Sequence, residues 1–184
     1  MLFRSAVTIT NVLGAKTWQE FVALAKANPG KYWYGSSGLG TITHLTGEVL
    51  TRTAGIQMQH SPYKTIVDAT GDVFDGRIQM VFDPSFVPYA KSGKVRVVLT
   101  DGPARMADFP DVPTARELVK DPKDLPILLL AELPFRVARP YMAPPDVPAD
   151  RVEMLKKAFM EANRDPAYLE EARRLQIEIG RAHV

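Results

Sequence analysis

Residues 3–12 alternate loosely between apolar and polar positions and are rich in Val, Ile and Thr, a pattern that suits a strand. Thr17 then stands where an N-cap belongs, ahead of Phe21, Val22, Leu24 and Ala25 at helical spacing. Asn28-Pro29-Gly30 closes that helix, because proline disfavours helix before it and glycine tolerates positive φ. A second strand is expected over 31–34. It leads through Gly35-Ser36-Ser37-Gly38-Leu39-Gly40 into a helix over 41–53, with Ile42, Leu45, Val49 and Leu50 on one face and Gly55 at its end.

The alternation continues with a strand at 56–60, a helix at 66–74, a strand at 78–82, a short helix at 87–91 and a strand at 95–100. Strands alternating with helices predict an α/β fold with a parallel sheet covered on both faces. Residues 101–113 read as a turn-rich connection, and two short helices, 114–120 and 125–133, precede a further apolar strand at 135–142. Pro144-Pro145 and Pro148 form a stiff linker, the best domain boundary in the chain, before helices over 149–163 and 166–175.

Composition changes this picture little. The 184 residues are 46% apolar and 24% charged, as in a folded globular chain. With a net charge of +2 and no dense basic block interleaved with aromatics, the chain is not expected to bind nucleic acid. The longest apolar stretch, 125–133, already contains Pro126 and Glu132 and falls far short of the roughly 20 residues that span a bilayer. Cysteine is absent, which excludes a disulfide framework and a thiolate metal site. His44, His60 and His183 lack the spacing of a zinc site, and neither metal nor cofactor is expected. Met1 to Arg4 shows no basic segment followed by an apolar core, so either export is not used or the true N-terminus lies upstream.

The chemistry concentrates in residues 35–41. Small residues let a backbone approach a ligand, and a loop opening a helix points amide groups and the positive end of the helix dipole at one spot. Ser36, Ser37, Thr41 and Thr43 add hydroxyls, so a carboxylate can be held there without a cationic side chain. A tight turn with an N-cap accounts for the same residues equally well from spacing alone. The loop lacks the Gly-Lys-Ser/Thr ending of a P-loop and carries Thr43 where a dinucleotide fingerprint needs its third glycine. A nucleophile elbow needs Gly two residues after its serine, and Leu39 stands there after Ser37.

Three neighbours are candidates beside the loop. His44, in the first helical turn, can turn a ring N–H toward an anion or bond a neighbouring backbone group. Asp83 follows the strand at 78–82 and so belongs at the carboxyl edge of the sheet, where open α/β folds bind ligands; capping the next helix ahead of Pro84 is its other role. Tyr63, in Pro62-Tyr63-Lys64 on the same edge, offers an apolar wall with a polar tip, while Lys64 reads as solvated. The charged helix across 151–174 reads as a solvated face.

These residues carry a resemblance. Lys26-Ala27-Asn28-Pro29-Gly30-Lys31, then Tyr34-Gly35-Ser36-Ser37-Gly38-Leu39-Gly40 with His44-Leu45, is similar to the tripartite tricarboxylate transporter receptor family, the Bug proteins. Pro62-Tyr63-Lys64, Phe82-Asp83, Lys91-Ser92-Gly93-Lys94, Phe109-Pro110-Asp111-Val112-Pro113-Thr114 and Ala143-Pro144-Pro145 with Val147-Pro148 follow in the family's order. The match runs from about residue 17 to 175. It implies a type 2 periplasmic-binding-protein fold, two α/β lobes closing on a small carboxylate, dicarboxylate or amino acid that is passed to membrane transporter subunits. By the resemblance, the anion loop falls on Ser36, Ser37, Gly38, Gly40 and Thr41, and the family's aspartate on Asp83.

Nothing here corresponds to the family's exported first lobe of roughly a hundred residues. Residues 12–137 are therefore expected to form the second lobe and 138–179 the return into an incomplete first lobe, with a signal peptide on the missing N-terminal part and a monomer at full length. One reverse translation of Glu178-Ile179-Gly180-Arg181-Ala182-His183-Val184 matches a common sequencing-library adapter, so 180–184 is expected to be a non-native tail. Two other classes stay open: a serine hydrolase using Ser37 as nucleophile, His44 as base and Asp83 as orienter, and a cytosolic ligand-sensing domain.

Overall fold

The computed structural model describes residues 6–119, 121–136 and 141–175. They divide into two compact units, Arg4–Phe135 and a second that takes up the chain from Arg136.

The first unit is built on a five-stranded sheet of β1 (Ala6–Thr10), β2 (Trp33–Ser36), β3 (Gln59–Pro62), β4 (Met80–Phe82) and β5 (Val95–Thr100), in the order β3-β2-β4-β1-β5. β2 pairs in parallel with β3 and β4, but β1 runs antiparallel to both β4 and β5. The sheet is mixed, which corrects the expectation of a parallel one. All five residues of β1 are buried, including Thr8 and Thr10. Such a pattern marks a central strand and reads the same in either direction, so it carries no information on polarity. β1 also ends before the expected limit at residue 12: the Thr10 hydroxyl accepts the Val12 amide and 11–13 turn into a 3₁₀ segment that ends at Gly14, φ 70°.

Successive residues of β4 face opposite sides of the sheet, and each side has its own core. Met80 and Phe82 join Val7, Ile9, Phe21, Tyr34, Leu50 and Leu99, under helices α1 (Trp18–Ala27) and α2 (Ile42–Ala54). Val81 joins Ile66, Val73, Ile78, Phe86 and Val95, under a 3₁₀ segment (Ile66–Ala69), α3 (Thr70–Phe74) and α4 (Val87–Lys91). Thr17 caps α1 by accepting the Glu20 amide at 3.2 Å, and the Glu20 carboxylate accepts the Lys16 amide at 2.7 Å. α2 lies close against β2 because Gly47 carries no side chain. A Cβ there would collide with the Tyr34 ring, already 2.8 Å from its Cδ2.

After β5 come α5 (Ala115–Leu118), closed by a Thr114/Glu117 capping box, and α6 (Asp124–Arg136). The strand expected over 135–142 is not formed by its described residues: Phe135 and Arg136 complete α6, and Tyr141 and Met142 lie in no strand. Residues 137–140 and the expected non-native tail lie outside the described residues. The second unit contains α7 (Ala149–Ala162) and α8 (Pro166–Arg174), the latter capped by Asp165 through the Tyr168 amide at 2.9 Å. Within it the Tyr141 and Phe159 rings lie 4.8 Å apart.

Candidate ligand site

Because β2, β3 and β4 run in parallel, the segments that follow them emerge at one edge of the sheet. They are the loop 37–41, the Tyr63 segment and Asp83, the three regions singled out by the sequence. Gly35 is still in β2, where a Cβ would meet Val81 Cγ1 at 3.2 Å and Tyr63 Cε2 at 3.5 Å, so the loop is seated tightly against its neighbours. Gly38 (φ 117°) and Gly40 (φ 72°) then turn the chain through conformations that L side chains rarely adopt. Thr41 caps the 13-residue α2, donating to the Gly38 carbonyl at 2.7 Å and accepting the His44 amide at 3.5 Å.

The loop's amides are held by its own side chains. Ser37 N–H donates to Thr43 Oγ1 at 3.0 Å, Gly38 N–H to Ser36 Oγ at 3.1 Å and Gly40 N–H to His44 Nδ1 at 3.1 Å. Thr41 N–H reaches the Gly38 carbonyl at 3.4 Å. Every one of these acceptors is neutral. A carboxylate offers charge-assisted bonds roughly twice as strong, at the positive end of a helix, so it can compete for the same donors. Ser37 Oγ and Thr41 Oγ1 each lie near Thr43 Oγ1, at 2.9 and 3.1 Å, so the three hydroxyls form a connected cluster. Around this polar spot Leu39, Ile42 and Leu45 are exposed.

Beneath the loop lies a layer in which Tyr34, Glu48 and His60, none of them a sequence-based site candidate, join Ser36 and His44. Ser36 is fully buried, and its Oγ lies 2.6 Å from His60 Nε2. The His60 ring stacks on His44 at 4.2 Å and on Tyr34 at 4.9 Å, and the Tyr34 hydroxyl donates to Glu48 Oε1 at 2.5 Å. Burial, seconded by the nearby His44, pushes His60 below the usual imidazole range, while Glu48 pulls the other way. Burial and the Glu48 carboxylate raise the Tyr34 phenol. His60 meets these groups because it stands opposite Tyr34 in the β2/β3 register. Only strand pairing reveals that neighbour.

Tyr63 and Asp83 arrive at the edge with their polar tips engaged elsewhere. Tyr63 N–H donates to the Ser36 carbonyl at 2.9 Å, fixing the loop's origin, but its hydroxyl donates to Asp72 at 2.6 Å, and Arg77 Nε binds the same carboxylate at 2.7 Å. Burial and that carboxylate raise the Tyr63 phenol, while the Tyr63 and Arg77 donors hold Asp72 below the usual carboxylate range. The Asp83 carboxylate accepts the Ser85 amide at 2.9 Å ahead of Pro84, the capping role. No triad forms from Ser37, His44 and Asp83. Ser37 Oγ turns to Thr43, His44 Nδ1 takes the Gly40 amide, and the serine–histidine contact that does exist, Ser36–His60, has its serine out of reach of any substrate.

The profile describing the tripartite tricarboxylate transporter family receptor matches residues 5–181. The UPF0065 protein in the gbd 5' region of Cupriavidus necator is 38% identical over 164 residues, covering 89% of this chain and 47% of that protein. A solved periplasmic transporter is 30% identical, with a TM-score of 0.71, over 91% of this chain and 53% of that one. R. palustris Rpa4515, solved with adipate, has a TM-score of 0.71 at 20% identity, over 98% of this chain and 57% of its own. The fold is thus that of the periplasmic binding proteins, and the chain spans about half the length of the relatives it matches.

Proposed function

This chain belongs to the receptors of the tripartite tricarboxylate transporter family, a family of solute receptors and not of enzymes, and on that premise we propose that it supplies one ligand-binding lobe of a periplasmic receptor for a small carboxylate. The observation that carries this reading is the loop 37–41 at the start of α2, where backbone amides and hydroxyls gather at a solvent-reachable sheet edge with only neutral acceptors of their own. A carboxylate replacing those acceptors needs no lysine or arginine. The exposed Leu39, Ile42 and Leu45 suit the apolar rim of a cleft closed by the other lobe. Adipate in Rpa4515 supports a small aliphatic carboxylate as the ligand class. Ser37, Gly38, Gly40, Thr41 and His44 form this half of the site; Ser36 holds the Gly38 amide from beneath, Tyr63 fixes the loop's origin, and Asp83 caps the next helix at the same sheet edge. Delivery to membrane transporter subunits, a signal peptide on the full-length protein and a monomeric state complete the proposal.

The full-length receptor, screened by thermal shift against mono-, di- and tricarboxylates, should gain stability with at least one of them. A ligand at a hundredfold its Kd contributes about 2.7 kcal/mol. A panel that leaves Tm unchanged throughout sinks the reading.

A further inference from the structure

Gly38 and Gly40 flank Leu39 at the tip of the loop, and their amides connect to two rings that touch, the first through a serine hydroxyl and the second directly. The Gly38 amide donates to Ser36 Oγ at 3.1 Å, and Ser36 Oγ lies 2.6 Å from His60 Nε2. The Gly40 amide donates directly to His44 Nδ1 at 3.1 Å. The two imidazoles stack at 4.2 Å with an interplanar angle of 27°, and Tyr34 backs His60 from the other side at 4.9 Å and 25°. The three rings come from β2, α2 and β3, so the stack ties the loop's strand and its helix to a neighbouring strand. From this geometry we infer that His60, remote in sequence from the loop, is the positioning residue that holds the Gly38 and Gly40 amides in the orientation a carboxylate meets.

His60 acts through two separable contacts. Its Nε2 engages the Ser36 hydroxyl and thereby the Gly38 amide. Its ring face supports the His44 ring and thereby the Gly40 amide. His44 Nδ1 can accept a hydrogen bond only while unprotonated, so the latch on Gly40 exists with His44 neutral. Burial favours the neutral form of His60, and Glu48 opposes it. This inference rests on the reading of the loop as a carboxylate site, but the brace itself is measurable without ligand.

The test is amide hydrogen exchange by NMR on the 184-residue chain, with adipate titration as a second arm. His60→Ala should speed exchange at Gly38 and Gly40 at least tenfold while Val81 and Val98 in the sheet change less than twofold. His60→Gln returns a hydrogen-bonding partner to Ser36 and should recover Gly38 alone. His60→Phe returns only a ring and should recover Gly40 alone. Loop exchange within twofold of the original chain in His60→Ala overturns the brace. If His60→Ala loosens the whole sheet, the Gln and Phe variants decide, and identical behaviour of the two at both glycines overturns it. In the second arm, adipate should shift Gly38 and Gly40 in the original chain with a Kd at least tenfold tighter than in His60→Gln or His60→Phe. Equal Kd values overturn positioning while leaving the carboxylate reading intact. If adipate shifts no loop amide in the original chain, it is that reading that fails, and the exchange rates still decide the brace.

Discussion

Two polar clusters of the first unit, placed toward opposite ends of the strand order, are built on different electrical principles. At the end of β2 the partners are hydroxyls, backbone amides and imidazoles, with Ser36 fully buried among them. Beyond the end of β5 the partners are ions. Glu132 of α6, only 3% exposed, binds the Arg116 guanidinium of α5, with Nε to Oε2 at 3.0 Å, and also takes the Gly102 amide at 3.2 Å. The Glu132 carboxylate raises Arg116 further above its ordinary range. A neutral network can hand its donors to an incoming anion without uncovering a charge, whereas a buried ion pair that loses one member leaves the other stranded. The first suits a site that exchanges partners. The second suits a permanent joint between α5 and α6.

Removing one member from each cluster should separate them clearly in urea denaturation of the chain. Glu132→Ala takes the main partner from Arg116 and the acceptor from the Gly102 amide, and should cost about 3 kcal/mol. This is the low end for a broken buried pair, because the Arg116 side chain is 26% exposed and keeps Asp101 nearby. Ser36→Ala removes a neutral acceptor from Gly38 and a partner from His60, and should cost about 1–2 kcal/mol. Equal losses in the two variants would erase the distinction between a joint and an exchangeable site.

The neutral cluster also depends on a packing detail that the ionic one lacks. Gly47 lets α2 lie against Tyr34, whose ring is 1% exposed and held by both Glu48 and the His60 stack, so it has little freedom to retreat. Alanine improves helix propensity by roughly 1 kcal/mol over glycine, but overpacking costs about 1–3 kcal/mol. Gly47→Ala should therefore lose on the order of 1 kcal/mol in the same titration and disturb the Tyr34 ring resonances. A variant that gains stability would show that the ring yields freely.

What the sequence disclosed follows the same divide between local and distant partners. Thr17, Thr41 and Gly55 mark helix ends through bonds to residues a few positions away, and each stands where the pattern placed it. The loop 35–41 was legible because glycines with positive φ and a following cap are local chemistry. The antiparallel course of β1 was not, since a fully buried strand reads alike in both directions. His60 was passed over because its partners Ser36 and Tyr34 reach it only through the β2/β3 register, twenty-odd residues away in the chain. Tyr63 and Asp83 were found at the right edge, but their polar tips could not be followed: Asp72 captures one and Ser85 the other.

The mildest expected effect is that of pH, and it falls on the neutral cluster. His60 is faced by Tyr34 and Ser36 from β2 and by His44 and Glu48 from α2, and the balance of burial and His44 over Glu48 lowers its pKa in the folded chain. Below about pH 6.5, the ordinary range of histidine, the unfolded chain takes up this proton while the folded chain still resists it. The unfolded state then binds more protons, so stability rises with pH in this window. The contribution of His60 is therefore complete above about pH 6.5, is lost as pH falls from there through the lower folded value, and changes no further beneath it. Urea midpoints taken from pH 7.5 down to 5 should decline more steeply in the original chain than in His60→Gln, whose side chain does not titrate. Parallel declines would mean that the fold does not favour the neutral ring, and the uncharged character of the site would have to come from the hydroxyls and amides alone.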